Sequence, residues 1–176
     1  LIANINTRFD APHSHGYEVN AEQLEDAGLF PLAMSREADL HLAVSPDGLR
    51  FVFFQGHPEY DAVSLLKEYK REVSRYIEGI RSTYPPYPEN YFAGEARKVL
   101  DDYKHQVERA RSDYSALSPF PDESVAHLVD NTWSDTGKAI VNNWLGLVYR
   151  VADSRRGRVF MDGVNPDDPL ALREAT

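Results

Sequence analysis

No cysteine occurs in this chain of 176 residues. Its absence excludes a disulfide framework and a thiolate zinc site, and it excludes a cysteine nucleophile within these residues. Positive charge is short beside negative. The 19 Lys and Arg face 28 Asp and Glu, for a net charge of -9, so sequence-independent binding to nucleic acid through a basic surface is not expected. No apolar run approaches the roughly 20 residues that a membrane-spanning helix needs. No signal peptide precedes the first strand-like segment, which makes the cytoplasm the expected compartment. Internal repeats and low-complexity tracts are lacking too. The opening Leu1-Ile2-Ala3-Asn4-Ile5 has no Met and reads like a segment entered mid-fold, or like a trimmed terminus.

What is present is ordinary for a globular protein. Apolar residues make up 42% and charged residues 27%, and a chain of this length can bury a core of its own. Residues 29–55 read as strands. Leu29 to Met34 is mostly apolar, Asp39 to Val44 alternates, and Phe51 to Phe54 is unbroken. Ser45-Pro46-Asp47-Gly48 is strong turn chemistry between the last two. The unbroken run predicts a strand covered on both faces, central in a sheet with helices on either side. A helix is predicted over 61–80, with Asp61 as N-cap and Leu65, Leu66, Tyr69, Val73, Tyr76, Ile77 and Ile80 on its buried face. Residues 83–92, with three prolines, form a packed turn. Further helices are predicted over 94–117 and 135–151, the second apolar enough to be mostly buried. The residues after Arg155 are charged and proline-bearing, and read as a poorly ordered tail.

The chemistry gathers at Gln55-Gly56-His57-Pro58-Glu59, where a predicted strand ends. In open α/β sheets ligands bind at the C-terminal ends of strands. A histidine there can serve as a general base near neutral pH. A carboxylate two residues on can hold that imidazole in one tautomer and stabilise its protonated form. On pattern alone this competes evenly with a histidine that merely ends a strand and a glutamate that favours a helix N-terminus. His13 and His15 sit two apart, as metal ligands on a strand can, but no convincing third ligand accompanies them and no metal is read. His41, His105 and His127 read as solvated or partly buried.

Gln55 to Asp61, Gln-Gly-His-Pro-Glu-Tyr-Asp, resembles the signature of the homoserine O-succinyltransferase family. The shorter His-Pro-Glu also occurs in class I glutamine amidotransferases, which are similar in fold. Ala11-Pro12-His13-Ser14, Asn90-Tyr91-Phe92, and Trp133 with Asn143-Trp144-Leu145 resemble three further stretches of the acyltransferase family in the same order. The likeness covers most of residues 6–92 and 132–151. It implies an α/β fold, the C-terminal part of a class I glutamine amidotransferase-like three-layer structure with a central sheet flanked by helices and C-terminal helices. Residues 1–155 would form that part of one catalytic domain, with 94–121 as a helical insertion longer than in familiar members and 156–176 as the tail.

The resemblance also implies roles. His57 would be the base and Glu59 its orienting partner. Ser14 and Arg71, the latter fourteen residues after His57, would bind substrate. The reaction would pass an acyl group from succinyl-CoA or acetyl-CoA to the hydroxyl of homoserine, in methionine biosynthesis. It would run through a cysteine acyl-enzyme whose nucleophile lies upstream of Pro-His-Ser, outside this chain. No cofactor is implied beyond the co-substrate acyl-CoA. Without the resemblance, Ser14 reads as a turn or capping serine and Arg71 as half of a surface ion pair. His15-Gly16 departs from the family, which has an arginine after Pro-His-Ser. Two alternatives stand beside the acyltransferase: the glutaminase half of an amidotransferase, and a non-catalytic remnant kept as an interaction module. A homodimer is the commonest arrangement for soluble enzymes, but the sequence leaves the oligomeric state open.

Overall fold

The computed structural model describes residues 1–17, 19–155 and 157–173. The chain divides into two compact units, Leu1–Glu59 with Thr132–Thr176, and Tyr60–Asn131. The first unit holds helix α1 (Ala21–Asp26), strands β1 (Phe30–Met34), β2 (Leu40–Val44) and β3 (Val52–Phe54), and helix α5 (Ser134–Val151). The second holds α2 (Ser64–Ile77), α3 (Gly94–Asp113) and α4 (Asp122–Ala126). The α/β class is observed, with an antiparallel sheet in the order β1-β2-β3.

The middle strand of that sheet is β2, and all five of its residues are buried. It pairs with β1 through Phe30 and Val44 at one end and Met34 and Leu40 at the other. On its other side Leu42 faces Phe54 and Val44 faces Val52. Two expectations change here. The strand of the Phe51–Phe54 run is at the edge of the sheet, and Phe51 and Phe53 are 60% and 41% exposed, their rings stacked. The strand covered on both faces is the alternating one. For the same reason His41 is not solvated: it is 4% exposed, because both faces of β2 are covered. The turn between β2 and β3 forms as its residues dictate. Asp47 Oδ1 accepts from the Ser45 hydroxyl and from the backbone N–H groups of Leu49 and Arg50, and Gly48 takes a positive φ of 69°.

Helix α1 is absent from the sequence prediction, although its start is legible. Asn20 and Gln23 form a reciprocal capping box, each side chain accepting from the other's backbone N–H. Helix α5 runs one residue longer than predicted at its start and is far less covered. Gly137, Ile140 and Val151 are buried, whereas Val141, Leu145 and Tyr149 line one exposed side, Tyr149 at 88%. Apolar density alone does not say how many faces have a neighbour. The family-like Asn143 and Trp144 have structural tasks. Asn143 Nδ2 donates to the carbonyls of Leu1 and Ala3, both at 2.8 Å, and Trp144 Nε1 donates to Leu49 C=O at 2.9 Å. They tie the N-terminal segment and the β2–β3 turn to α5.

The tail is not loose over residues 157–173. Ala152 bridges to Phe160, and Asp168 is buried and accepts from the N–H groups of Leu172 and Arg173. Arg50 donates to Pro166 C=O, and Leu172 packs on Gly48. Charge and proline suggested disorder, but they build local turns that the β2–β3 loop holds. Arg156 and residues 174–176 of the expected tail lie outside the described residues.

The second unit is a small helical cluster. Leu66, Tyr69 and Val73 of α2 meet Ala96, Leu100, Tyr103 and Val107 of α3, and the turn of 83–92 supplies Tyr84, Tyr87 and Phe92. The packed turn expected there is observed. Tyr69 stacks on Tyr87 with centroids 5.1 Å apart, and Tyr87 donates to Asp101 at 2.8 Å. Helix α2 is shorter than predicted at both ends. Asp61 does not occupy the N-cap, which is Val63. It forms the turn before the helix instead, accepting from Val63 N–H at 3.0 Å and from the Ser64 hydroxyl at 2.7 Å. Ile77 and Ile80 are exposed. Helix α3 ends at Asp113, four residues early, because Tyr114 turns left-handed with φ 58°.

Candidate active site

The pair His57 and Glu59 leaves the end of β3 on a short, pinned segment. Gln55 N–H donates to His41 C=O at 3.0 Å, which continues the sheet pairing one step beyond β3. His57 N–H then donates to Pro12 C=O at 2.7 Å. Between these two bonds Gly56 passes very close to two imidazoles. A Cβ there would lie 2.5 Å from His41 Nδ1 and 2.8 Å from His13 Nε2. No side chain fits, so glycine is required by close approach rather than by a special φ. Pro58 then packs on α5, where a Cβ at Gly137 would lie 2.9 Å from Pro58 Cβ. Glycines thus let the backbone come close on both sides of the pair.

His57 Nδ1 and Glu59 Oε1 are 2.9 Å apart. An ionised carboxylate only accepts, so the imidazole hydrogen sits on Nδ1 and Nε2 is the nitrogen placed to exchange protons with a reactant. The Glu59 carboxyl lies below its ordinary value. Burial pushes it up, but the hydrogen bond from His57, the bond from its own backbone N–H and the charge of a protonated His57 outweigh that. It is therefore ionised wherever His57 can act as a base. Beside Glu59 a solvent-open groove of about 290 Å³ is lined by Pro58, Glu59, Gly137, Lys138, Val141 and Asn142. That volume is near the lower end for small-molecule sites. Lys138 and Asn142 were not singled out in the sequence, since nothing in a helical pattern marks the side that borders a groove.

Behind the pair is a cluster of imidazoles that sequence spacing did not reveal as a whole. His13 Nδ1 lies 3.1 Å from His15 Nε2, and the ring centroids of His13 and His41 are 5.5 Å apart. Burial and then the neighbouring His15 and His57 lower the affinity of His13 for a proton. His41 is lowered to about 4, first by burial and then by His13. Both are neutral at physiological pH. Among the described residues no group of three or more His, Asp or Glu side chains is placed to hold a metal ion.

The other two predicted site residues stand apart in kind. Ser14 is exposed, between His13 and His15 in the segment whose Pro12 carbonyl holds His57. Arg71 belongs to the second unit, on α2, exposed, with Nε 3.5 Å from Glu72 Oε1. That is the ordinary setting of a surface arginine, and such a pair contributes little to stability.

Comparison with known proteins bears on what this geometry is for. The model of the homoserine O-succinyltransferase family matches residues 1–154. The chain is 54% identical over 172 residues to a homoserine O-succinyltransferase of Methylobacter tundripaludum, covering 98% of the chain and 49% of the relative. It is 50% identical over 176 residues to one of Nitrosococcus oceani, covering 100% of the chain and 49% of the relative. It is 45% identical over 170 residues to one of Cardiobacterium hominis, covering 97% and 47%. The chain spans about half the length of the curated relatives it matches.

Proposed function

The chain belongs to the homoserine O-succinyltransferase family, and on that premise we propose that His57 and Glu59 are the base and orienting carboxylate of an acyl transfer to the hydroxyl of homoserine. The observation that carries the proposal is the 2.9 Å bond between His57 Nδ1 and Glu59, at the end of a pinned strand and beside an open groove. The relatives' names give a succinyl transfer, and succinyl-CoA is proposed as its donor. The match to this family over residues 1–154 favours acyl transfer over the glutaminase reading, which shares only His-Pro-Glu. The amidotransferase-like three-layer fold is part of the same proposal. In it the three strands would be one side of a larger sheet.

The chemistry asks two things of His57. A thiol attacks the thioester carbonyl of the acyl-CoA most readily as thiolate, and an imidazole beside it takes its proton. The departing CoA thiolate recovers that proton, which leaves a cysteine thioester. Homoserine's hydroxyl then attacks the thioester carbonyl while Nε2 takes the hydroxyl proton, and the cysteine leaves as thiolate. Glu59 stabilises the imidazolium in both steps. The chain has no cysteine, so the nucleophile is proposed to lie outside these residues. The test is product formation from homoserine and succinyl-CoA by the protein expressed from its natural gene, with a thiol count on the same sample. O-succinylhomoserine together with at least one cysteine supports the reading. A cysteine-free product would make the thioester route unavailable and leave the interaction-module reading.

Arg71 is proposed to bind the substrate carboxylate, because guanidinium meets carboxylate through two parallel hydrogen bonds. Arg71→Ala is expected to raise the KM for homoserine at least tenfold, the effect of losing a charged hydrogen bond of roughly 1.5–3 kcal/mol, with a smaller change in kcat. Steady-state kinetics in homoserine checks this. An unchanged KM places Arg71 outside the amino-acid site. Ser14 is proposed as a second substrate contact.

A further inference from the structure

We propose that His41, on the middle strand of the sheet, is a positioning residue for His57: the bare Nδ1 edge of its ring is the surface on which Gly56 rests, and so it sets the direction in which His57 leaves β3. This rests on the reading of His57 as the base. The geometry is a stack of three layers. The His41 ring makes T-shaped contacts with Phe9 and Phe54, with centroids at 5.6 and 5.8 Å. A Cβ on Gly56 would lie 2.5 Å from its Nδ1, so only a residue without a side chain can sit against that edge. His57 follows at once, with its own N–H held by Pro12.

The choice of ring is informative. His41 Nδ1 is buried and has no hydrogen-bond partner among the described residues. If the side chain only filled space, an apolar ring would fill it without leaving a polar atom unpaired. A neutral imidazole carries a single hydrogen. With that hydrogen on Nε2, the Nδ1 edge presents a lone pair and no hydrogen, and a backbone can approach it more closely than it can a phenyl C–H edge. The lone pair can also accept weakly from the Gly56 Cα–H. Phenylalanine, or a protonated His41, would put a hydrogen where Gly56 lies. The preference of His41 for the neutral form agrees with this.

The test reads His57 itself, without substrate. In the ¹⁵N-labelled protein expressed from its natural gene, above the imidazole titration range, the nitrogen shifts of His57 give the ratio of the Nδ1–H form, which Glu59 holds, to the Nε2–H form. His41→Phe keeps an aromatic ring of similar size and is expected to leave the fold intact while lowering that ratio about fivefold, the weight of one net hydrogen bond. A simple packing role predicts the ratio unmoved. A wild-type ratio in His41→Phe would overturn the proposal. Should that variant not fold, His41→Leu, which removes the ring edge and its lone pair without adding bulk, is read by the same ratio. If neither folds, the contact serves the fold and not the direction of His57, and the proposal fails. The failure of the function itself looks different: wild-type protein gives no O-succinylhomoserine, whatever the ratio shows.

Discussion

His57→Ala is expected to lower turnover by about 10²–10⁴-fold, the usual contribution of a positioned general base, and to leave the fold in place. The two halves of that expectation come from different observations. The loss follows from the bond to Glu59, which commits Nδ1 and leaves proton exchange to Nε2. The tolerance follows from the environment, because the side chain is 32% exposed and what anchors this segment is its backbone N–H on Pro12. Alanine keeps that N–H. Glu59 would lose a partner but not become a buried charge, since its side chain is 67% exposed. Circular dichroism and a urea midpoint within experimental error of wild type, with kcat down at least a hundredfold, would agree with the proposal. A kcat within about tenfold of wild type is too small a loss for a base and would move that role elsewhere.

Local chemistry was the most legible part of the sequence. The turn at 45–48 forms from the side-chain oxygens of Ser45 and Asp47, and the proline-rich 83–92 packs its aromatic rings where a helix could not. Helix α2 was found through its spacing, although its start was misplaced by three residues, because Asp61 serves the turn before the helix rather than the cap. What the sequence could not supply was the number of neighbours each element has. The Phe51–Phe54 run and α5 both carry more apolar surface than the described residues cover, and both were read as buried. Conversely, His41 sits at a position that alternation marks as outward, and the middle strand buries it.

The site divides in the same way. His57 and Glu59 are two residues apart, so a single short segment brings them together, and their pairing could be anticipated. The family resemblance, rather than spacing, singled out Ser14 and Arg71, and their roles are proposed and not observed. The approach of His13 and His41 to Gly56 depends on three separate segments, and no local pattern announces it. The one available signal was the glycine itself, which the close rings behind it require.

Those rings also set how the protein should behave in acid. The wild-type chain is expected to lose about 2 kcal/mol of unfolding free energy between about pH 7 and pH 5 through His41 alone. The unfolded chain binds a proton at His41 near the ordinary value of 6.5, while the folded one resists until about 4. Between those values the unfolded state holds more protons, so stability falls as pH falls. The loss begins near 6.5 and is complete below about 4, at about 3 kcal/mol. His13 is lowered in the same direction and adds to it. The carboxylates held below their ordinary values act in a lower window. Asp47, Glu59 and Asp61 keep their contribution until pH falls below about 4.5, which leaves the range from 7 to 5 to the histidines. Urea unfolding at the two pH values separates the cases. In His41→Phe the pH-dependent loss should shrink by about 2 kcal/mol, whatever that substitution does to stability at neutral pH. An undiminished loss in the variant would mean that His41 is protonated in the folded protein at pH 5. Its Nδ1 edge would then carry a hydrogen under Gly56, and the support proposed for His57 would not exist at that pH.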